Sequence, residues 1–235
     1  MDNIIFAGCD LHDKNMLVET ALNKDAPSKR NISNDAGGRK MLIAHLQKIA
    51  NGARIVFAYE ASGLGFGLCD ELTAAGIVCH VLAPSKMTRS PQERRNKTDE
   101  KDALKILEIL RGHYLAGNAL PDVWVPEKQT RDDRELVRCR LDAQEKCSSI
   151  KTQIVTLLKR NGIAKADAPG NNWTKPYRAW LAKLAGVDQP LSFGARRNLA
   201  SLLRQLKAFE REVEKLDKDL EKLVKPSGMR SPPPG

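Results

Sequence analysis

The sequence predicts an α/β protein built on a mixed sheet with helices on both faces. Three short apolar runs, residues 4–8, 54–59 and 77–83, have the length and composition of buried strands. Residues 16–22 can pair with the first run as an antiparallel hairpin. Because strands that alternate with helices usually form a sheet covered on both faces, these runs favour an α/β fold.

Helical segments fill the intervals between these strands. Apolar residues recur at helical spacing over residues 35–50. A second helix, capped by Ser62, is predicted to run to about Ala75, and a third begins at Thr98 or Asp99. The resulting order is a hairpin, a helix, and then strand, helix, strand and helix. This order fits a ribonuclease-H-like sheet better than a doubly wound nucleotide-binding sheet, because its start is antiparallel.

In the second half of the chain the sequence predicts two long helices, over residues 132–161 and 194–224. Their apolar residues recur at steps of three and four, the spacing of a coiled-coil seam. The first helix carries Leu136, Cys139, Ala143, Cys147, Ile150, Ile154 and Leu157 at these positions. The second carries Leu199, Leu202, Leu206, Phe209, Val213, Leu216, Leu220 and Leu223. The pattern favours a long antiparallel coiled-coil arm over an ordinary helical bundle.

These patterns divide the chain into three predicted parts. Residues 1–126 form the α/β domain and residues 127–225 form the helical arm. Residues 226–235 form a proline-rich tail, which has no periodicity and is expected to be disordered.

Composition narrows the class of partner. The chain has 39 Lys and Arg against 29 Asp and Glu, a net charge of +10, which favours a polyanion over the alternative of a merely solvated surface. The five cysteines are odd in number and lack CxxC spacing, so neither a disulfide framework nor a zinc site is expected. With no signal peptide and no membrane-spanning run, a cytoplasmic protein without membrane contact is the expectation.

Four carboxylates stand at positions where a functional site is expected. Asp10 follows the first predicted strand, Glu60 follows the second, and Asp99 and Asp102 lie three residues apart at the start of a helix, hence on one helix face. Each has a structural alternative, as a turn residue, a solvated strand end or a helix cap. Taken together they predict one site, because functional groups gather at the carboxyl ends of parallel strands. In a ribonuclease-H-like sheet the first strand neighbours the strand that ends at Glu60, which brings Asp10 alongside.

Carboxylates packed together repel one another unless a cation neutralises them, and hard oxygen ligands suit Mg²⁺ or Mn²⁺. Two such ions can activate an attacking oxygen and stabilise a leaving oxygen at a phosphodiester. A basic linker precedes Asp99 and is a candidate phosphate-binding segment, with a mobile solvated loop as the alternative. Its cationic residues are Lys86, Arg89, Arg94, Arg95 and Lys97.

The motifs GCDLHDK, YEASG and KTDEKDA, in this order and spacing, resemble those of the DEDD-type insertion-sequence transposases, relatives of the Piv and MooV invertases. The resemblance extends over nearly the whole chain, to about Val224. It implies a RuvC-like domain whose Asp10, Glu60, Asp99 and Asp102 bind a divalent metal. It also implies DNA recombination of a mobile element, a structured element-encoded RNA as partner, and homo-oligomers assembled through the helical arm.

One departure from the family pattern concerns the end of the chain. Members of the family continue into a second catalytic domain that carries a nucleophilic serine, whereas Ser227 and Ser231 lie in the proline-rich tail without matching context. A transposase truncated before that domain is therefore expected. Two alternatives stay open: a non-catalytic nucleic-acid-binding fragment that associates with an intact transposase, and an actin-like or sugar-kinase fold in which EASGLGFG would be the phosphate loop.

Overall fold

The computed structural model describes residues 3–87, 99–164, 167–186 and 190–224. The chain divides into two compact units, Met1–Val125 and Pro126–Gly235. The strands of the first unit are β1 Ile4–Leu11, β2 Asn15–Leu22, β3 Ser28–Ser33, β4 Arg54–Glu60 and β5 Val78–Leu82. Its helices are α1 Ala36–Ala50, α2 Gly67–Ala74, a 3₁₀ turn Pro84–Lys86 and α3 Asp99–Ala116.

The five strands form one mixed sheet in the order β3-β2-β1-β4-β5. β1 pairs antiparallel with β2 and parallel with β4, so the predicted hairpin and the predicted neighbour of the first strand are both confirmed. β3 is an additional edge strand that sequence patterns missed, because Ile32 is its only buried residue. The charged side chains of Lys29 and Arg30 make this edge unattractive for pairing with another chain.

The prediction that Ser62 caps the second helix is wrong. α2 begins at Gly67, and no side chain caps its first turn. The Ser62 hydroxyl instead accepts a hydrogen bond from the backbone N–H of Leu64, within a turn. Gly65 has φ of 69°, a left-handed conformation that interrupts a right-handed helix before it can start.

The two faces of the sheet have separate cores. On one face Ile5, Ala7 and Cys9 of β1 pack with buried residues of α1 and α2. On the other face Phe6 packs with α3 residues such as Ile106. Helices therefore cover both faces, as predicted, and alternate residues of β1 belong to opposite layers.

Gly8 lets α3 lie directly on the sheet. A β-carbon added at this position would lie 2.4 Å from the carbonyl oxygen of Ala103 and 2.4 Å from the backbone nitrogen of Leu107. Both atoms belong to helical backbone, which cannot rotate away. The absence of a side chain at Gly8 thus sets how closely the start of α3 approaches β1.

Gly8→Ala is expected to lower the free energy of unfolding by about 1–3 kcal/mol, the usual cost of overpacking a core. Gly63→Ala is a matched control, because a β-carbon there meets no atom within 4 Å. Urea denaturation followed by circular dichroism measures both. Equal stability of the two variants would contradict the backbone contact.

The second unit consists of α4 Lys128–Arg160, α5 Lys175–Leu184 and α6 Phe193–Val224. Arg140 of α4 pairs with Asp217 of α6, and Lys151 pairs with Glu210, so the partners run in opposite order along the two helices. The long helices are therefore antiparallel, while coiled-coil geometry itself stays a prediction.

Within the described ranges no helix is both long and apolar enough to cross a membrane.

The apolar contact between the long helices differs from the predicted seam at two positions. Leu223, near the end of α6, is exposed, and so is Cys139 of α4. Half-buried Arg140 lies in the contact in place of Cys139. It stands four residues after Leu136 and three residues before buried Ala143, so the helical spacing is kept. The aliphatic part of an arginine can lie along apolar surface while its guanidinium reaches an acid, here the Asp217 carboxylate at 2.9 Å.

Glu210 joins all three helices of the second unit. Its carboxylate accepts two hydrogen bonds of 2.7 Å from Arg178 of α5, and it also lies 3.8 Å from Lys151. The hydrogen bonds from Arg178 hold the pKa of Glu210 below its usual value; burial opposes this shift, and the positive charges of Arg178 and Lys151 add to it.

Glu210→Gln is expected to destabilise the second unit by about 1 kcal/mol at neutral pH, a modest loss because the pair is partly exposed. A lowered carboxyl pKa gives stabilisation that is present above the unfolded-state pKa and is lost as pH falls through the folded-state pKa. The difference from wild type should therefore vanish in acid. Glu214→Gln, an exposed neighbour on α6, is the control in pH-dependent thermal melts; a loss as large as that of Glu210→Gln would refute the role.

Candidate metal centre

Two of the predicted acids lie side by side at one edge of the sheet. The parallel register of β1 and β4 runs to Cys9 opposite Tyr59, so the next residues, Asp10 and Glu60, stand together at the carboxyl ends of neighbouring strands. By strand alternation both face the same side as Gly8, which is the side covered by α3.

The third acid, Asp102, lies on the helix that covers this face. It is 8 % exposed and stands one turn before Ile106, in the row of α3 residues buried against the sheet. Its neighbour Ala103 is the residue whose carbonyl oxygen approaches Gly8. Asp99 begins α3 one turn earlier, and its side chain lies outside the described part of the structure.

His12 contacts the first acid and was not singled out from the sequence. Its Nε2 lies 3.0 Å from Oδ2 of Asp10, whose side chain is 16 % exposed. The Asn34 side chain donates a hydrogen bond of 2.8 Å to the His12 carbonyl oxygen, which ties this segment to the end of β3. A spacing of two residues along the end of a strand could have indicated the pair, because such residues share a face.

Glu19 is a further acid on the same face that sequence reasoning missed. It lies opposite Gly8 in the antiparallel register of β1 and β2 and is 8 % exposed. Burial raises its pKa; Lys29 opposes this shift and the charge of Glu100 adds to it. Lys29 and Glu100 also form an ion pair, which connects the edge strand β3 to the start of α3.

The donor set suits a hard divalent cation. Asp10, Glu60 and Asp102 offer carboxylate oxygens on one side of the sheet, and oxygen is the ligand atom that Mg²⁺ and Mn²⁺ prefer. Among the described side chains, which do not include that of Asp99, no three acidic, His or Cys groups already lie close enough to hold an ion. A complete site would therefore need Asp99, or side-chain rotation towards the ion.

Only one cation of the predicted phosphate-binding linker falls within the described residues. Lys86 ends the 3₁₀ turn after β5, is exposed, and lines an open groove together with Lys105 and Glu108. The other four, Arg89, Arg94, Arg95 and Lys97, lie outside the described residues.

Functional groups commonly gather at the carboxyl ends of parallel strands, where Asp10 and Glu60 lie. Comparison with known proteins assigns the family. Residues 7–162 match the transposase family of IS110 type, and the chain belongs to that family.

Two curated relatives are transposases by name. The protein of Sinorhizobium fredii named as transposase y4qE is 33 % identical over 150 residues, which cover 63 % of this chain and 35 % of that protein. The transposase for insertion sequence element IS1533 of Leptospira borgpetersenii is 25 % identical over 186 residues, 78 % of this chain and 51 % of that protein. The chain thus spans between a third and about half of the length of these relatives.

Among solved structures, Thermus thermophilus RuvC aligns with 51 % of this chain and 99 % of its own, at 12 % identity and a TM-score of 0.35. This is a distant likeness.

Glu19→Gln is expected to stabilise the protein at neutral pH, because it removes a buried charge. A raised carboxyl pKa means that the folded state binds a proton more readily than the unfolded state. As pH falls towards the usual pKa of glutamate, the difference in unfolding free energy between Glu19→Gln and wild type should therefore shrink. Denaturant unfolding at several pH values measures this, with exposed Asp13→Asn as control; a destabilised Glu19→Gln variant would show that the Lys29 contact dominates instead.

Proposed function

We propose that this chain carries the metal-dependent DNA strand cleavage and exchange centre of an insertion-sequence transposase. Asp10, Glu60, Asp99 and Asp102 would hold Mg²⁺ or Mn²⁺. The observation that carries the proposal is the register of β1 and β4, which places Asp10 beside Glu60 on the face covered by the helix of Asp102. Membership of the transposase family supplies DNA as the substrate.

The residues of the chain would prepare the site in three ways. Asp10 and Glu60, on rigid strands, would present oxygens at fixed positions, while Asp102 would approach from α3. Burial of Asp102 excludes water and so strengthens electrostatic interactions at that side of the site. When bound, divalent ions would polarise the phosphodiester and help to activate the attacking oxygen.

His12 would act as a positioning residue for Asp10. A hydrogen bond to the outer oxygen of a metal-binding carboxylate fixes its orientation, and such contacts commonly affect metal affinity. The 3.0 Å contact between Nε2 of His12 and Oδ2 of Asp10 would serve this purpose.

The basic linker would hold the DNA backbone next to the acids. Arg94, Arg95 and Lys97 stand two to five residues before Asp99 in the sequence, so phosphates bound to them would lie near the start of α3. Lys86 and Arg89 would extend this binding segment towards β5. By resemblance to the family, a structured element-encoded RNA and a second copy of the chain, joined through the arm, complete the assembly. Complete transposition is proposed for the longer proteins of the family, since this chain covers 35 % and 51 % of the two relatives.

The proposal is tested by metal binding and by cleavage. An ion that binds only the folded state raises stability by about 2.7 kcal/mol at a hundred times its dissociation constant. Mn²⁺ should therefore raise the melting temperature of the wild-type chain and of Asp13→Asn, an exposed acid of the same motif, but not of Asp10→Asn. Nicking of duplex DNA by the wild type with Mg²⁺ should disappear in Asp10→Asn.

Metal-induced stabilisation that survives in Asp10→Asn would refute the proposed ligand set. A chain that binds DNA but neither binds Mn²⁺ nor nicks DNA would instead be the non-catalytic fragment that associates with an intact transposase.

A further inference from the structure

A partly enclosed cavity of about 350 Å³ lies in the second unit, between the end of α4 and the first turns of α5. Its volume is at the lower end of the range for small-molecule sites, which are mostly apolar and contain a few polar groups. The cavity has this composition. Its apolar walls are formed by Val155, Leu158, Ile163, Ala168, Tyr177 and Trp180, and Lys159 and Asn172 add polar groups.

Tyr177 brings a hydroxyl to this cavity. The residue is 3 % exposed, and its hydroxyl has no hydrogen-bond partner among the described residues. Burial raises the pKa of Tyr177, so the hydroxyl keeps its proton and can act as a donor. A buried hydroxyl without a partner costs free energy, and an acceptor on a ligand in the cavity would offset that cost.

The aromatic rings beside the cavity favour a flat ligand. The ring centroids of Trp180 and Tyr177 are 5.5 Å apart. On its other side Tyr177 packs against Trp173, at 5.5 Å with the ring planes at 75°. The Lys151 ammonium lies 5.5 Å from the centroid of the Trp173 ring and 3.8 Å from the Glu210 carboxylate, which holds Trp173 in place. Because this wall is already ordered, a ring that enters the cavity loses little binding free energy to rearrangement.

The charge at the cavity favours an anion. Lys159 lines it, is exposed, and forms no ion pair within the described parts of the chain. None of the described lining residues is acidic. Asp167, in the connection to α5, instead accepts a hydrogen bond of 3.3 Å from the backbone N–H of Ala164. A ligand with one carboxylate would be neutralised by Lys159 and would accept a hydrogen bond from Tyr177.

We propose that the cavity binds a small aromatic carboxylate. The ring of the ligand lies against Tyr177 and Trp180, and its carboxylate accepts a hydrogen bond from the Tyr177 hydroxyl. This site belongs to the second unit alone. Ligand binding there requires neither the metal centre nor DNA, so it can be tested whether or not the proposed function holds.

The probe is 2-naphthoate, with uncharged 2-naphthamide as its matched control. Isothermal titration calorimetry of the full chain should give a Kd of about 0.1–1 mM for 2-naphthoate, the range for a ligand of this size. The amide should bind about tenfold more weakly, because it lacks the charge. In NMR spectra the indole N–H signals of Trp173 and Trp180 should shift on binding, while that of Trp124, in the first unit, stays unchanged.

Tyr177→Phe separates a ligand-binding hydroxyl from a structural one. Since the hydroxyl has no partner among the described residues, its removal should leave the melting temperature unchanged or higher, yet weaken 2-naphthoate binding about tenfold. Lys159→Gln should weaken binding several-fold and reduce the preference for 2-naphthoate over the amide. Lys175→Gln is the control, because this exposed lysine at the start of α5 does not line the cavity; it should bind like wild type.

Equal affinity for 2-naphthoate and 2-naphthamide would overturn the proposal, as would unchanged affinity in Tyr177→Phe. Absence of binding to the wild-type chain at millimolar 2-naphthoate would do the same. Decanoate and adenosine monophosphate are titrated in parallel. If either shifts the Trp180 signal with higher affinity than 2-naphthoate, the ligand is aliphatic or a nucleotide, and the aromatic carboxylate is ruled out.

Discussion

The approach of α3 to the sheet at Gly8 is the contact on which the candidate site depends. The strands alone bring only Asp10 and Glu60 together, at the ends of β1 and β4. Asp102 lies on the same side of the sheet because helical backbone at Ala103 and Leu107 occupies the space where a side chain on β1 would otherwise be. A glycine with no role in chemistry thus sets the distance between the acids on the strands and the acid on the helix.

On the face of the sheet that α3 covers, apolar residues and acidic residues occupy different regions along β1. Towards the middle of β1, Phe6 and α3 residues such as Leu107 form a dry core. Towards the end of the strand the face becomes acidic, with Glu19 buried beside Gly8 and Asp10 held by His12. The apolar core holds α3 in place, so the energetic cost of gathering carboxylates is met by packing elsewhere on the same helix.

Much of the fold was accessible from the sequence because buried strands and long helices have strong periodic signals. The strands of the hairpin and both long helices follow from apolar spacing over continuous stretches, and the parallel pair follows from the ribonuclease-H-like order of elements. β3 was not accessible, because an edge strand with Ile32 as its single buried residue has no apolar alternation. The start of α2 was misplaced because the turn depends on the left-handed φ of Gly65, which spacing does not reveal.

The candidate site was predictable only in part, for a related reason. Acids at strand ends can be identified from their position in the sequence, and the spacing of His12 from Asp10 could have indicated that contact too, whereas the position of Glu19 depends on pairing between strands. Glu19 lies in a stretch that reads simply as a strand, and only its register with Gly8 brings it to the acidic face. The exchange of Cys139 for Arg140 between the long helices has the same origin, since a spacing of three and a spacing of four are both helical.

The position of Arg140 within that contact has a consequence for how the two long helices align. A repeating seam of leucines tolerates sliding by one heptad, because apolar side chains meet apolar side chains again. The pairs Arg140 with Asp217 and Lys151 with Glu210 do not tolerate it together. A shift of seven residues one way brings Arg140 opposite Glu210 and leaves Lys151 opposite Leu203; a shift the other way brings Lys151 opposite Asp217 and leaves Arg140 opposite Val224. The two ion pairs therefore select one register of the long helices, although apolar packing alone would allow several registers of similar energy.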